Sequence, residues 1–313
     1  MFLVCGEALF DLFMTGTPEY IDMFKARHGG SPYNVAVGIA RLGTSVGFFS
    51  GISYDRLGQQ IAAALTLENV STSYIVRKAA PTTLSLVMLG DAGVPSYAFY
   101  GDGAADRALT PEDLPVLADD VAGLHFGSYA LVCEPAASCY FALAQREAGR
   151  RLISIDPNVR LNVEPDVTLW RDRVIAWVRC ADVVKVSVED LERLYPGVDM
   201  LTIARAWLVE RPALVVITKG GDGAVAVTAT MTVETLAPVV TVIDTVGAGD
   251  AFQAALLHQL YVRGCTGALQ LKALSGPDLE SILRFACMAG GLACTRQGAD
   301  LPRAEEILKA LER

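Results

Sequence analysis

The 313-residue chain is short of histidine, of positive charge and of paired cysteines, and each shortage removes a class of function. Three histidines, His28, His125 and His258, are too scattered to suggest a metal cluster. Lys and Arg number 26 against 35 Asp and Glu, a net charge of −9. That balance argues against nucleic acid, whose readers present a basic face, and against anionic lipid. Any anionic ligand must be held by a local arrangement. Seven cysteines, at 5, 133, 139, 180, 265, 287 and 294, form no C-x-x-C pair. An odd, dispersed set reads as buried thiols in a reducing compartment, with no disulfide framework and no zinc site. No Gly-Lys dipeptide occurs, which excludes a Walker A loop, and no His-Glu-x-x-His motif occurs. The first strand is not followed by G-x-G-x-x-G, so a dinucleotide site is not expected. No uncharged apolar run reaches about 18 residues, the length a spanning helix needs. The apolar N-terminus lacks a basic flank and carries Glu7 and Asp11, unlike a secretory signal. A cytoplasmic protein is expected.

What is present is apolar. The chain is 52% hydrophobic and 19% charged, which excludes a disordered chain. Short β-rich runs alternate with helical patterns. Strands are expected at Phe2–Cys5, Val46–Ser50, Leu124–Gly127, Leu152–Ile155, Val183–Val186 and Leu214–Thr218. Helices are expected from Ser31, as N-cap, to Gly43, near 59–68, 136–149, 167–178 and 200–210, from 248 through Leu260, and over most of 279–313. This alternation predicts βαβ units and an α/β fold with a mostly parallel central sheet flanked by helices. The whole chain, 1–313, is expected to form one domain. Segments 12–27 and 74–101 break the pattern with β-type runs, and are expected to form a small antiparallel sheet, a lid.

Ligands of such sheets sit beyond the carboxyl ends of the strands, so the residues after each strand carry the functional candidates. The strongest segment is Asp244-Thr245-Val246-Gly247-Ala248-Gly249-Asp250. A small-residue turn that opens a helix exposes N–H groups and the positive end of the helix dipole, which suits an anion. Asp250 in the first turn can accept a proton from a hydroxyl, or can simply complement the dipole. Thr218-Lys219-Gly220-Gly221-Asp222-Gly223 follows an apolar strand. It reads either as a close approach to a phosphate or planar ring, or as a strand-to-strand turn. Gly29-Gly30-Ser31-Pro32-Tyr33-Asn34 leads into the first long helix. Asn34 and Asp11 fall at one sheet edge, where an amide and a carboxylate can pair with hydroxyls. Asp156-Pro157-Asn158-Val159-Arg160 offers Arg160 to a phosphate or a sugar oxygen. In Lys185-Val186-Ser187-Val188-Glu189-Asp190, Ser187 and Asp190 have capping-box spacing.

Together these residues resemble the PfkB (ribokinase-like) carbohydrate kinases. DTVGAGDAF resembles their C-terminal signature, and the glycine pair with Asn34 resembles the N-terminal one. GEALFD, DPNVR and Lys185-Val186-Ser187 look most like the fructokinase branch. The resemblance spans essentially the whole chain and implies ATP-dependent phosphorylation of a primary sugar hydroxyl under a β lid. It implies Asp250 as base, with Gly247, Ala248 and Gly249 as anion hole. Asp11, Gly30, Asn34, Phe99 and Arg160 would hold the sugar, with Tyr97 and Tyr100 as further aromatic candidates. Lys185, Thr218, Gly221 and Gly223 would line the nucleotide site. Mg2+ and, beside Asp244, K+ are the implied ions, and a homodimer through the lid the implied assembly. Where many relatives carry Asn-x-x-Glu to organise magnesium, this chain has Ser187 and Asp190. Other sugars of the family (2-keto-3-deoxygluconate, ribose, a nucleoside) and a non-catalytic sugar-binding role are the competing readings.

Overall fold

The computed structural model describes residues 1–15, 23–89 and 95–312. The first half runs β1 (Phe2–Cys5), β2 (Leu9–Thr15), β3 (Met23–Gly29), α1 (Ser31–Arg41), β4 (Val46–Phe49), β5 (Gly51–Ser53), α2 (Arg56–Leu67), β6 (Val76–Lys78), β7 (Leu84–Leu89) and β8 (Pro95–Tyr100). Then come β9 (Gly123–Gly127), α3 (Ala136–Glu147), β10 (Leu152–Asp156), α4 (Val167–Val178), β11 (Val183–Ser187), α5 (Val188–Leu194) and α6 (Met200–Glu210). The last third holds β12 (Leu214–Thr218), β13 (Ala224–Val227), β14 (Thr232–Thr235), α7 (Ala248–Val262), α8 (Ala268–Lys272), α9 (Gly276–Cys294) and α10 (Ala304–Leu311).

Eight strands form the main sheet in the order β14-β13-β12-β11-β10-β9-β1-β4. The six from β12 to β4 are parallel, and β13 and β14 add antiparallel at one edge. Both faces of these strands are covered, which is why most of them read as nearly continuous apolar runs. In β1, Phe2 and Val4 join the core on the α1, α7 and α9 side, while Leu3 and Cys5 join the core under α3, α4 and α6. Gly38 lets α1 approach α7 closely: a methyl there would lie 2.6 Å from Ala254 Cβ. From β1 the chain steps first to β4 on one side and later to β9 on the other. The carboxyl ends of β1 and β9 therefore flank the switch point where such sheets bind ligands.

The lid is a separate four-stranded sheet of order β3-β2-β7-β8. It starts at Leu9, earlier than expected, and residues 74–83 are not in it; β6 instead pairs with β5 in a two-stranded ribbon. Residues 16–22 and 90–94 of the expected segments lie outside the described residues. The lid is mixed where an antiparallel sheet was expected, because β2 pairs parallel to β7. From β2 the chain reaches β7 only after α1, α2 and four strands, the long excursion that a parallel partner requires. Its register puts Asp11, Ser85 and Phe99 in one row.

Gly30, not Ser31, is the N-cap of α1, and Ser31 is the first helical residue. Gly43-Thr44-Ser45-Val46-Gly47 has the G-x-S-x-G spacing of a hydrolase elbow. It lies on the helix-to-strand loop before β4, at the amino edge of the sheet, where no nucleophile elbow forms. Among the described residues no helix is long and apolar enough to cross a membrane. All seven cysteines are free thiols.

Candidate active site

α7 begins where the sequence places the anion-binding turn. Gly247 is its N-cap at φ +81°, and a methyl there would lie 2.7 Å from Ala299 Cβ, so both conformation and space demand glycine. The Ala248 N–H donates to the Thr245 carbonyl at 3.2 Å, which removes Ala248 from the expected nest. Gly247, Gly249 and Asp250 are left to offer N–H groups beyond the carboxyl edge.

Asp250 stands one turn into α7 and is 8% exposed. The Ser31 hydroxyl donates to its Oδ1 at 2.6 Å and the Asn34 amide to its Oδ2 at 2.8 Å. Both donors lie in the first turn of α1, so the ends of two helices meet on one carboxyl group. This explains why Ser31 does not cap α1: its hydroxyl is committed to Asp250. Asn34, expected to face sugar hydroxyls, holds Asp250 through its amide nitrogen and also lines the cavity.

That cavity encloses about 550 Å³. The lid contributes Asp11, Ser85 and Phe99 to it, and the turn before α1 contributes Gly30. Phe99 packs edge-on to Tyr129, at 6.2 Å between ring centroids. Tyr100, on the other face of β8, is 64% exposed and outside the cavity. The Tyr97 side chain lies outside the described set. Burial raises the Asp11 pKa to about 6, opposed by the Ser85 hydroxyl and Arg160 and supported by the Asp250 charge. Arg160 lines the cavity, and Asn158 before it takes a left-handed φ of +40° that turns the DPNVR loop over the strand ends.

Beneath the turn lies a buried ion pair. Lys185 Nζ donates to Asp156 Oδ2 at 2.8 Å, with side chains 5% and 1% exposed. Burial disfavours the ammonium, but the Asp156 carboxylate outweighs it, so the Lys185 pKa is raised and the group stays charged. Nζ lies 3.3 Å from where a Gly249 methyl would be, which puts a fixed positive charge beside the anion-binding turn. Asp156 thus pairs with Lys185 across adjacent strands.

Residues 2–306 match the profile of the pfkB family carbohydrate kinases. The chain belongs to this family. It is 38% identical to a fructokinase of Rhizobium leguminosarum bv. trifolii over 284 residues, which cover 89% of this chain and 87% of that protein. A fructokinase from Xylella fastidiosa with bound ATP superposes with a TM-score of 0.89 at 30% identity, covering 99% of this chain and 98% of that one. A fructokinase double mutant from Vibrio cholerae O395, in a form with fructose, ADP and potassium ion bound, gives 0.85 at 29% identity, covering 98% and 96%.

In this pfkB kinase the expected nucleotide residues separate into two groups. Lys185 belongs to the cavity. Thr218, Gly221 and Gly223 lie outside it, in the β12–β13 turn at the same sheet edge. Gly223, at φ +91°, packs where a methyl would lie 2.0 Å from the Thr235 carbonyl, so it serves the strand-to-strand turn. The Asp190 carboxylate accepts from the Val159 N–H at 3.2 Å and from Arg193 at 3.0 Å, fastening the DPNVR loop. Ser187 Oγ caps α5 by accepting from the Asp190 N–H. Among the described residues no group of three His, Cys, Asp or Glu side chains could hold a metal ion. The Asp244 carboxylate accepts from the N–H groups of Val246 and Gly298, at 3.0 and 2.7 Å. Both of its oxygens thus tie the loop down, and the expected cation there would have to use backbone carbonyls.

Besides Ser85 and Ser128 on the cavity wall, sequence reasoning missed two further members of the site and one pairing. Glu7 is buried on the cavity wall, Ser31 bonds Asp250, and Lys185 pairs with Asp156. Signals were available for Glu7, a charge directly after an apolar strand, and for Lys185, a lysine inside one.

Proposed function

We propose that this protein is an ATP-dependent fructokinase that phosphorylates a primary hydroxyl of D-fructose. The observation that carries the reading is Asp250. It is a carboxylate held by two donors, at a helix N-terminus, facing a cavity walled by hydroxyl-binding groups. Asp250 takes the proton of the attacking hydroxyl, and the Asn34 and Ser31 bonds keep its oxygens aimed. The N–H groups of the turn and the Lys185 ammonium stabilise charge on the transferring phosphoryl group, which needs positioning and electrostatics more than covalent help. Asp11 and Arg160 orient the sugar, and Phe99 covers it. Thr218 and Gly221 are assigned to the nucleotide side.

Magnesium suits a site of this kind. It is usually held by one or two carboxylates and by the substrate phosphates, and would supply charge neutralisation there. A buried Asp156 oxygen, Oδ1, has no hydrogen-bond partner among the described residues and is the carboxylate we assign to it. Potassium would stiffen the loop at Asp244. The lid face opposite Asp11 exposes Met14, Phe24 and Tyr100, and we assign it to a second copy of this chain. A cytoplasmic location agrees with the free thiols.

With MgATP, fructose should give the highest kcat/KM among fructose, ribose, 2-keto-3-deoxygluconate, glucose and adenosine. A tenfold advantage for another member removes fructose while leaving a sugar kinase. No ATP turnover with any of them would favour the sugar-binding alternative. Replacing a bulky organic cation by potassium at constant ionic strength should raise the rate.

A further inference from the structure

Glu7 plays no part in the mechanism above, yet it sits on the cavity wall 2% exposed. It follows β1 directly, at the switch point of the sheet. Gly30 packs against it so closely that a methyl would come within 2.8 Å of the Glu7 carbonyl and 3.2 Å of its Cγ. The turn that delivers Ser31 and Asn34 to Asp250 therefore rests on this residue. The Ser128 hydroxyl bonds to the carboxyl group, but Oε2 is buried with no partner among the described residues. A bare carboxylate oxygen buried without a donor is costly. An O–H there needs only an acceptor, and the cavity is where a ligand can bring one.

We propose that Glu7 is a specificity-determining residue that works un-ionised, its Oε2–H donating a hydrogen bond to a sugar oxygen while Asp11 across the cavity accepts from sugar hydroxyls. The inference rests on the sugar-kinase reading above. The groups around Glu7 agree with it. Asp106, Tyr129, Cys133, Tyr140 and Arg160 face it, and Arg160 is the one cation among them. Burial raises the Glu7 pKa to about 8; Asp106 adds to the rise, and the Ser128 bond and Arg160 oppose it. Burial pushes the Cys133 thiol up to about 12 and both tyrosines well above their usual range. Burial raises the Asp106 carboxyl as well, against bonds from Thr83 and Tyr129 and the charge of Arg107, so it is Glu7→Gln that assigns an alkaline titration to Glu7.

The sign follows. Below pH 8 the donor is present. Above it Glu7 ionises, the donor is lost and a buried negative charge replaces it, so sugar binding weakens as pH rises. The test is the dissociation constant of the best sugar of the substrate panel, measured by titration calorimetry from pH 6.5 to 9.5, without nucleotide. Wild type, Glu7→Gln and Glu7→Leu are compared. The wild-type Kd should climb above pH 8, approaching tenfold per unit. Glu7→Gln, whose amide donates at any pH, should bind within about threefold of wild type at pH 7 and lose the alkaline climb. Glu7→Leu should bind roughly tenfold more weakly at pH 7. A flat wild-type profile overturns the proposal, as does a Glu7→Gln protein that binds as poorly at pH 7 as a carboxylate-acceptor role would require. Both results are read on wild type and the isosteric variant, so a Glu7→Leu chain that fails to fold leaves the proposal just as open to refutation. Using the panel's own best sugar separates a wrong sugar from a wrong role for Glu7.

Discussion

Two carboxyl groups face one cavity from opposite supports. Asp250 comes from the start of α7 and Glu7 from the end of β1, and both are buried. Asp250 receives a hydroxyl, an amide and the positive end of a helix. Glu7 receives the Ser128 hydroxyl and keeps an oxygen with no partner. What differs is the number of donors aimed at each: two side chains and a helix end hold the Asp250 oxygens, whereas burial with a single side-chain donor pushes the Glu7 pKa up to about 8. On the proposed reading, the same chemical group serves as a base at one end of the sugar and as a hydrogen-bond donor at the other.

The comparison can be broken at its cheapest point or at its most expensive. The largest effect on stability should come from Lys185→Met. It strips Asp156 of its partner while leaving that carboxyl buried, a change that typically costs about 3–5 kcal/mol. Urea unfolding at pH 7 would show it, and a loss under about 1 kcal/mol, well short of that range, would mean that the pair is not the electrostatic floor of the site.

Glu7→Gln should come next, through pH. Glu7 binds its proton more tightly when folded, so its contribution is complete below pH 4.5 and is lost progressively as pH climbs to 8. The stability of Glu7→Gln relative to wild type should rise by several kcal/mol between pH 4.5 and 9, since each pH unit between the unfolded and folded pKa is worth about 1.4 kcal/mol. Parallel unfolding profiles would show that Glu7 ionises freely.

Asp11→Asn sharpens the lid side. Losing a charge-assisted bond to sugar hydroxyls should raise the sugar KM roughly tenfold, with the KM for ATP nearly unchanged. Since the Asp11 pKa is raised to about 6, wild-type sugar affinity should also fall as pH drops below 6, and Asp11→Asn should lose that acid limb. The smallest effect belongs to Ser31→Ala. Asn34 still holds Asp250, so kcat should fall about threefold to tenfold, in line with one hydrogen bond of about 1 kcal/mol.

Much of this molecule is legible in its sequence where the signal is local. Gly247 announces the turn because left-handed backbone and a crowded neighbour both require glycine. The apolar runs from Phe2 and from Leu214 announce buried parallel strands. Asp11 and Asn34 could be placed at one sheet edge by the alternation of strands and helices, while Gly30, Phe99 and Arg160 joined them through the family resemblance. What the sequence hides is pairing across distance. Ser31 and Asp250 are 219 residues apart, and nothing local shows that a plausible N-cap serves another helix. The parallel β2–β7 pair is equally silent, since both strands alternate as antiparallel ones would. Lys185 lies inside the apolar run Val183-Val184-Lys185-Val186, which marks it as unusual but does not name Asp156.

The mechanism stands on Asp250 as the base, and Asp250→Asn addresses it most directly. Asparagine keeps the shape and still meets a donor, but it cannot take the hydroxyl proton. The comparison is kcat with saturating MgATP and fructose, with fructose binding measured in parallel to establish that the cavity is intact. General-base catalysis contributes about 10²–10⁴-fold, and kcat should fall by at least the lower of these while fructose still binds. An Asp250→Asn enzyme that keeps more than about a tenth of wild-type kcat, well short of that range, would contradict this role and hand the proton to another group.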